Sequence, residues 1–196
     1  MKDCIFCEYC RDTICDQSCP SYVEMSFLLE RNNITTSNSV FNRSTSAIAE
    51  YSTLLEKHSG KIKAVQTKMS TVQAADMLTY CACCKYFRGS RLNTVVYNLK
   101  YAWYIDAIKQ SWSMKEEPSD LQYAKIWSSS TETLIISSMD YVNFGDFECQ
   151  TLLQLLQQRE SKHKTTFLII PEIRQLVGKG DFFLRLKNYL EQAVRA

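Results

Sequence analysis

Breakers are scarce in this chain: five glycines and three prolines among 196 residues. That scarcity excludes long flexible linkers and low-complexity tails. Long apolar runs are also missing. None reaches the roughly 18 residues that a membrane span requires, so no membrane partner is expected. The opening Met-Lys-Asp-Cys-Ile-Phe-Cys has no apolar stretch of the secretory kind. The expected location is therefore the cytoplasm. Histidine is limited to His58 and His163. Neither has a Cys or Ser partner evident in the sequence, so an enzyme built on histidine acid–base chemistry is not expected.

What is present is enough for a packed domain. Apolar residues make up 45 % of the chain, far from a disordered composition. The net charge of +2 conceals an uneven distribution. Residues 1–56 carry four basic and eight acidic side chains, residues 57–109 nine and two, and residues 110–196 ten and eleven. The basic middle block either faces phosphates or solvates the outer faces of helices.

Cysteine is the plentiful residue. Five of nine stand at the front, in C-IF-C-EY-C-RDTI-C-DQS-C-P. Cys4 and Cys7 form one closely spaced pair, and Cys15 and Cys19 another. Two such pairs complete a tetrahedron of thiolates, which suits zinc. Cys10 is the extra one, either a substitute for Cys7 or a free thiol. An iron–sulfur cluster also takes four cysteines, and reduced thiols without metal are the third reading. Four protein ligands leave no open position, so the site reads as structural. Cys81, Cys83, Cys84 and Cys149 read as small core residues on helices.

Periodicity divides the rest. A helix is expected over Tyr22–Asn32 and a polar stretch over Thr35–Ser46. A further helix, Ser44–His58, is closed by Gly60. Strands then alternate with helices. The strands are Lys61–Thr67, Thr94–Leu99, Thr133–Ser137 and Thr165–Ile170. The helices are Ser70–Phe87, Tyr101–Trp112, Asp120–Trp127, Phe147–Glu160 and Asp181–Val194. This alternation predicts an α/β fold with a parallel sheet and helices on both faces. The expected organisation is a cysteine-rich head with its helix (1–34), a polar linker (35–43) and an α/β domain (44–196).

Several stretches carry a resemblance to a known family. They are the head from Cys4 to Met25, the run TVVYNLKYAWYIDAIKQSW (94–112), the stretch from Glu132 to Ile170, and FFLRLKNYL (182–190). In this order they resemble DnaC-type replicative helicase loaders, particularly the short phage-borne ones. Those are AAA+ ATPases preceded by a cysteine-containing head. The resemblance implies an AAA+-like domain acting in phage or mobile-element DNA replication in a bacterial host cell. The partner it implies is a replicative helicase or an active loader, with assembly into homo- or hetero-oligomers.

The same resemblance locates what is lost. A phosphate loop needs G-x-x-x-x-G-K-[ST]. The corresponding stretch here runs through Lys68, Ser70 and Thr71, and no glycine lies between Gly60 and Gly89. The carboxylate pair that organises Mg²⁺ is replaced by Ser137 and Ser138. Asp140 stands two residues later, too far along to take their place. The family's sensor strand is followed by a small polar residue, and here Pro171-Glu172 follows. The implied domain is a pseudo-ATPase able to lend an arginine in trans, with Arg185 the first candidate and Arg174 the second. The head, with Tyr22, Met25, Phe27 and Leu28 behind it, would bind the partner. The alternative is a zinc-containing protein that binds single-stranded nucleic acid. Its basic middle block would be interleaved with Tyr80, Tyr86, Phe87, Tyr97, Tyr101, Trp103 and Tyr104.

Overall fold

A computed structural model describes residues 27–32, 34, 45–88 and 96–195. The cysteine head with Cys4, Cys7, Cys10, Cys15 and Cys19 lies outside the described residues, as does the linker at 35–43. The first described element is a helical stretch, α1 (27–31). It is followed by α2 (Thr45–Lys57), β1 (Ile62–Gln66), α3 (Thr71–Arg88) and β2 (Val96–Lys100). Next come α4 (Tyr101–Ser111), α5 (Ser119–Ser130), β3 (Thr133–Ser137) and β4 (Asn143–Phe144). The chain ends with α6 (Asp146–Glu160), β5 (Thr165–Ile170), β6 (Val177–Gly178) and α7 (Asp181–Arg195).

The main sheet is parallel throughout, in the order β1-β5-β3-β2. The expected α/β class and parallel pairing are both present. The strands β3 and β5 are buried at every position, as their unbroken apolar runs require of central strands. Alternate side chains enter two different cores. Leu134, Ile136, Leu168 and Ile170 pack with helices α4 to α7. Ile135, Phe167 and Ile169 pack with α1, α2 and α3. Helices therefore cover both faces.

Local chemistry sets the element ends. Gly60 has φ +73°, a left-handed conformation that glycine adopts at little cost. Its N–H donates to Thr165 Oγ1 at 2.7 Å, tying the turn before β1 to the start of β5. At the start of α6 the Gly145 N–H donates to Glu148 Oε2 at 2.8 Å, half of a capping box. Burial works against the Glu148 charge, but an ion pair to Lys109 at 2.6 Å and these amides hold its pKa below the usual range. In α7, Phe183, Leu186, Leu190 and Ala193 recur at helical spacing and face the core.

One pair of short strands was not expected from the sequence. β4 and β6 form a separate two-stranded parallel sheet beyond the carboxyl ends of the main strands. Gly178 makes it possible. A Cβ there would lie 2.6 Å from the Phe144 carbonyl oxygen and 2.6 Å from a Phe183 ring carbon.

The amino ends of β3 and β5 are closed by Arg159, whose side chain is fully buried. Its Nε donates to Thr166 Oγ1 at 2.7 Å. Nη1 donates to the carbonyls of Ser128 and Thr131, and Nη2 to those of Glu132 and Thr165. All five guanidinium N–H groups thus have acceptors. Burial pulls its pKa down to about 10, partly opposed by Glu132, so it stays charged at neutral pH.

Candidate functional site

In an open parallel sheet, ligands bind outside the carboxyl ends of the strands, where successive connections leave toward opposite faces. Here that place lies between β1 and β5. β1 leads into α3 on one face, and β5 leads toward α7 on the other. Four residues, 67–70, separate β1 from α3. That is too short for a strand–G-x-x-x-x-G-K-[ST]–helix arrangement. The Thr67 N–H stays paired to the Ile170 carbonyl at 3.0 Å, so the loop begins as an extension of the sheet. The Met69 N–H folds back onto Thr67 Oγ1 at 3.1 Å. Two of the loop's backbone amides, those of Thr67 and Met69, are thus already bonded within the protein.

The structure places the expected residues as follows. Lys68 and Ser70 are exposed on this short loop. Thr71 is buried at the first residue of α3. Ser137 ends β3, fully buried, and its hydroxyl has no hydrogen-bond partner. It alternates with Ile135 and so turns to the α3 face. Ser138 is buried with φ +62°, an uncommon and strained conformation for a residue with a side chain.

One expectation is corrected here. Asp140 does not lie too far along. The left-handed Ser138 and a 3₁₀ turn at Met139–Tyr141 fold the chain back. Thr71 Oγ1 then donates to Asp140 Oδ1 at 2.7 Å. The bond links the loop after β3 to the start of α3, although β5 lies between β3 and β1. It brings together a hydroxyl and a carboxylate, the two group types that hold Mg²⁺ in a phosphate-loop ATPase. The cradling glycines and lysine are absent from the loop beside them.

The two arginines are apart from this arrangement. Arg174 is exposed in a 3₁₀ turn after β5 and pairs with Glu172 at 2.5 Å. Arg185 is exposed on α7, with its guanidinium carbon 5.4 Å from the Phe182 ring centroid. It lines a shallow groove with Gln150, Gln154 and Gln157 of α6. Of the residues behind the head, Phe27 is exposed and Leu28 is buried against α3. Tyr22 and Met25 lie outside the described residues.

The aromatics expected to interleave with basic side chains are mostly interior. Tyr80, Tyr97, Tyr101 and Tyr104 are buried, and Trp103 alone among the described ones is exposed. Burial pushes the Tyr97 hydroxyl up to about 12. Tyr101 OH donates to the Glu148 carbonyl at 2.6 Å, as a core tyrosine does. Cys81, Cys83 and Cys149 are buried core residues, as expected. Burial, with Glu148 and Asp146 nearby, pushes the Cys149 thiol up to about 11. Among the described residues no group of three His, Cys, Asp or Glu is placed to hold a metal. No described helix is long and apolar enough to cross a membrane.

The sequence reading missed a cluster at the outer side of β2. There Arg31 lies over Trp127 at 3.8 Å, and Tyr123 stacks on Trp127 at 5.4 Å. The four-residue spacing of Tyr123 and Trp127 on one helix was the available signal. A scan of family models, curated proteins and solved structures finds no match to this chain.

Proposed function

We propose that this chain is a non-catalytic, helicase-loader-like protein. It acts in phage or mobile-element DNA replication by gripping a replicative helicase or an active loader. The observation that carries this reading is the loop between β1 and α3. It sits where an ATPase of this architecture would cradle phosphate, and it is too short and too tightly bonded to the sheet to do so. Ser137 and Ser138 stand at the end of β3 where a carboxylate pair would be expected, and Asp140, which accepts from Thr71, is the carboxylate that reaches the loop from this side.

With no hydrolysis to perform, such a protein works through its surfaces. The cysteine head is the proposed partner-binding piece. Zinc held by Cys4, Cys7, Cys15 and Cys19, with Cys10 in reserve, is its proposed cofactor. Arg185, and after it Arg174, are the residues proposed to reach a neighbouring subunit's nucleotide. Both are exposed, Arg174 in an ion pair with Glu172. The zinc-containing single-strand-binding alternative keeps the exposed Lys61 and Lys68 but loses four of its aromatics to the core.

Two measurements test the proposal. Calorimetric titration with ATP and Mg²⁺ should give no binding in the micromolar range. Tight binding with hydrolysis would overturn the pseudo-ATPase reading. Affinity capture from a bacterial host should recover a replicative helicase or its loader, and recovery of neither would sink the loader assignment.

A further inference from the structure

Two buried polar groups between β2 and α3 explain each other. Asn98 of β2 is 5 % exposed, and its Oδ1 has no hydrogen-bond partner. Asn98 alternates with Val96, which packs in the core with α3, so its side chain lies on the α3 face of the sheet. Asp76 of α3 meets it there, 8 % exposed. Asn98 Nδ2 donates to Asp76 Oδ1 at 3.1 Å. A primary amide offers a donor and an acceptor side by side, and an ionised carboxylate answers only the donor. A protonated carboxyl answers both. One oxygen accepts from Nδ2, and the O–H on the other donates to Oδ1. The torsion that orients an aspartate carboxyl is soft, so this O–H is able to turn onto the amide.

The surroundings favour the neutral acid. Burial pushes the Asp76 pKa up to about 6, opposed by Lys100 and by the Asn98 amide. Lys100 stands two residues along β2 on the same face. Among the described residues no ion pair joins it to Asp76. The neighbouring β3 presents Ile135 and Ser137 to this face, both uncharged. Other charged groups near the junction are directed elsewhere. Asp140 bonds α3 at Thr71, five residues before Asp76. Arg31 of α1 lies over the Trp127 ring, and Glu50 of α2 lies by Tyr51.

We propose that Asp76 and Asn98 form a proton-operated latch, in which Asp76 holds a proton and the acid and the amide are joined by two hydrogen bonds that tie α3 to β2. Loss of the proton to water removes the bond to Oδ1 and leaves a buried charge beside a buried, unanswered acceptor. The latch reaches a third element. The Asn98 backbone N–H donates to Asn32 Oδ1 at 2.9 Å, and Asn32 Nδ2 donates to the Leu28 carbonyl at 2.9 Å. One residue of β2 thus holds both α3 and the end of α1. Acidification tightens this junction, and a rise in pH loosens it. The device does not depend on the loader reading.

Nuclear magnetic resonance on the full chain tests the latch. The Asp76 carboxyl carbon should titrate with a midpoint of about 6. The Asn98 side-chain carbonyl carbon should move with the same midpoint, because its oxygen loses a donor. An Asp76 midpoint of about 4 would overturn the proposal. So would an Asn98 carbon that stays still while Asp76 titrates, since its donor would then be something other than Asp76. Hydrogen exchange gives a second reading. Protection of the Asn98 backbone amide, corrected for the intrinsic rate, should fall about tenfold between about pH 5 and about pH 7.5. Asp76→Asn keeps a donor and an acceptor facing the amide without a charge, so its protection should stay at the low-pH level throughout. Equal protection of the unaltered chain at both pH values counts against the latch, as does an Asp76→Asn protein that shows the same fall. The carbon titration uses the unaltered chain and decides the matter even if the variant does not fold.

Discussion

The two ends of the main sheet are built on opposite plans. At the amino ends of β3 and β5, Arg159 is buried with every donor matched to an acceptor. Toward the carboxyl ends the same protein tolerates shortfalls. Ser137 Oγ and Asn98 Oδ1 are buried without partners, Ser138 is left-handed, and Asp76 is buried on α3 with its pKa pushed up. The amino end is organised for stability. The carboxyl half carries the strain and the unmet polar groups that mark sites of interaction.

Breaking the saturated end should do the most harm. Arg159→Leu would strand carbonyls from three segments in the interior. A loss on the order of 4 kcal/mol is expected, read as the shift in a urea unfolding midpoint. A loss under about 1 kcal/mol would mean that water replaces the guanidinium and that the contrast is not real.

Asp76 sharpens the comparison from the other side. Burial raises its pKa from 3.8 to about 6, while Lys100 and the Asn98 amide pull the other way. The folded-state value lies above the unfolded one. The folded protein therefore holds an extra proton between those limits, and stability falls as pH rises from about 4 to about 6. Above that window the loss remains, on the order of 3 kcal/mol. Asp76→Asn should therefore stabilise the protein at pH 7 and flatten its pH profile. An unchanged profile would remove Asp76 from the list of shortfalls.

Smaller effects are expected at the short sheet and the loop. Gly178→Ala should cost about 2 kcal/mol, because its Cβ meets the Phe144 backbone and the Phe183 ring. Thr71→Val should cost about 1 kcal/mol, the value of one hydrogen bond. Adding Asp140→Ala to it should then cost little more, because both changes delete the same bond. Additive losses would mean that the two side chains act separately.

Much of the fold could be read in the sequence because the strong signals are local. Leu134-Ile135-Ile136 and Phe167-Leu168-Ile169-Ile170 announce central strands without reference to anything distant. Gly60 ends α2 through its own backbone freedom. The site was less legible because its contacts are remote. Arg159 sits in a run of Gln, Arg and Glu that reads as a solvated helix face, and its partners are backbone carbonyls, which leave no trace in a sequence. Asp140 reaches Thr71 across 69 residues, by a backward turn at a serine that has no glycine-like signature. Gly178 and Phe144 make a sheet from two residues on each side, too short for any periodicity. The tyrosines of the middle block read equally well as stacking surface or as core, and only packing decides between them.

The position of β1 has a consequence for how the chain is made. It is the first strand of the sheet to be synthesised, yet among the described residues it pairs with β5 alone, the last of the four. Lys63 also caps the far end of the molecule, donating to the Val194 carbonyl of α7 at 2.7 Å across 131 residues. A chain emerging from the ribosome can assemble β2, β3 and their helices in order, while β1 waits without a neighbour. Its incorporation closes a loop of about a hundred residues, an entropic step that slows folding. Until then its edge is open to other chains, which makes β1 the segment most exposed to mispairing during synthesis.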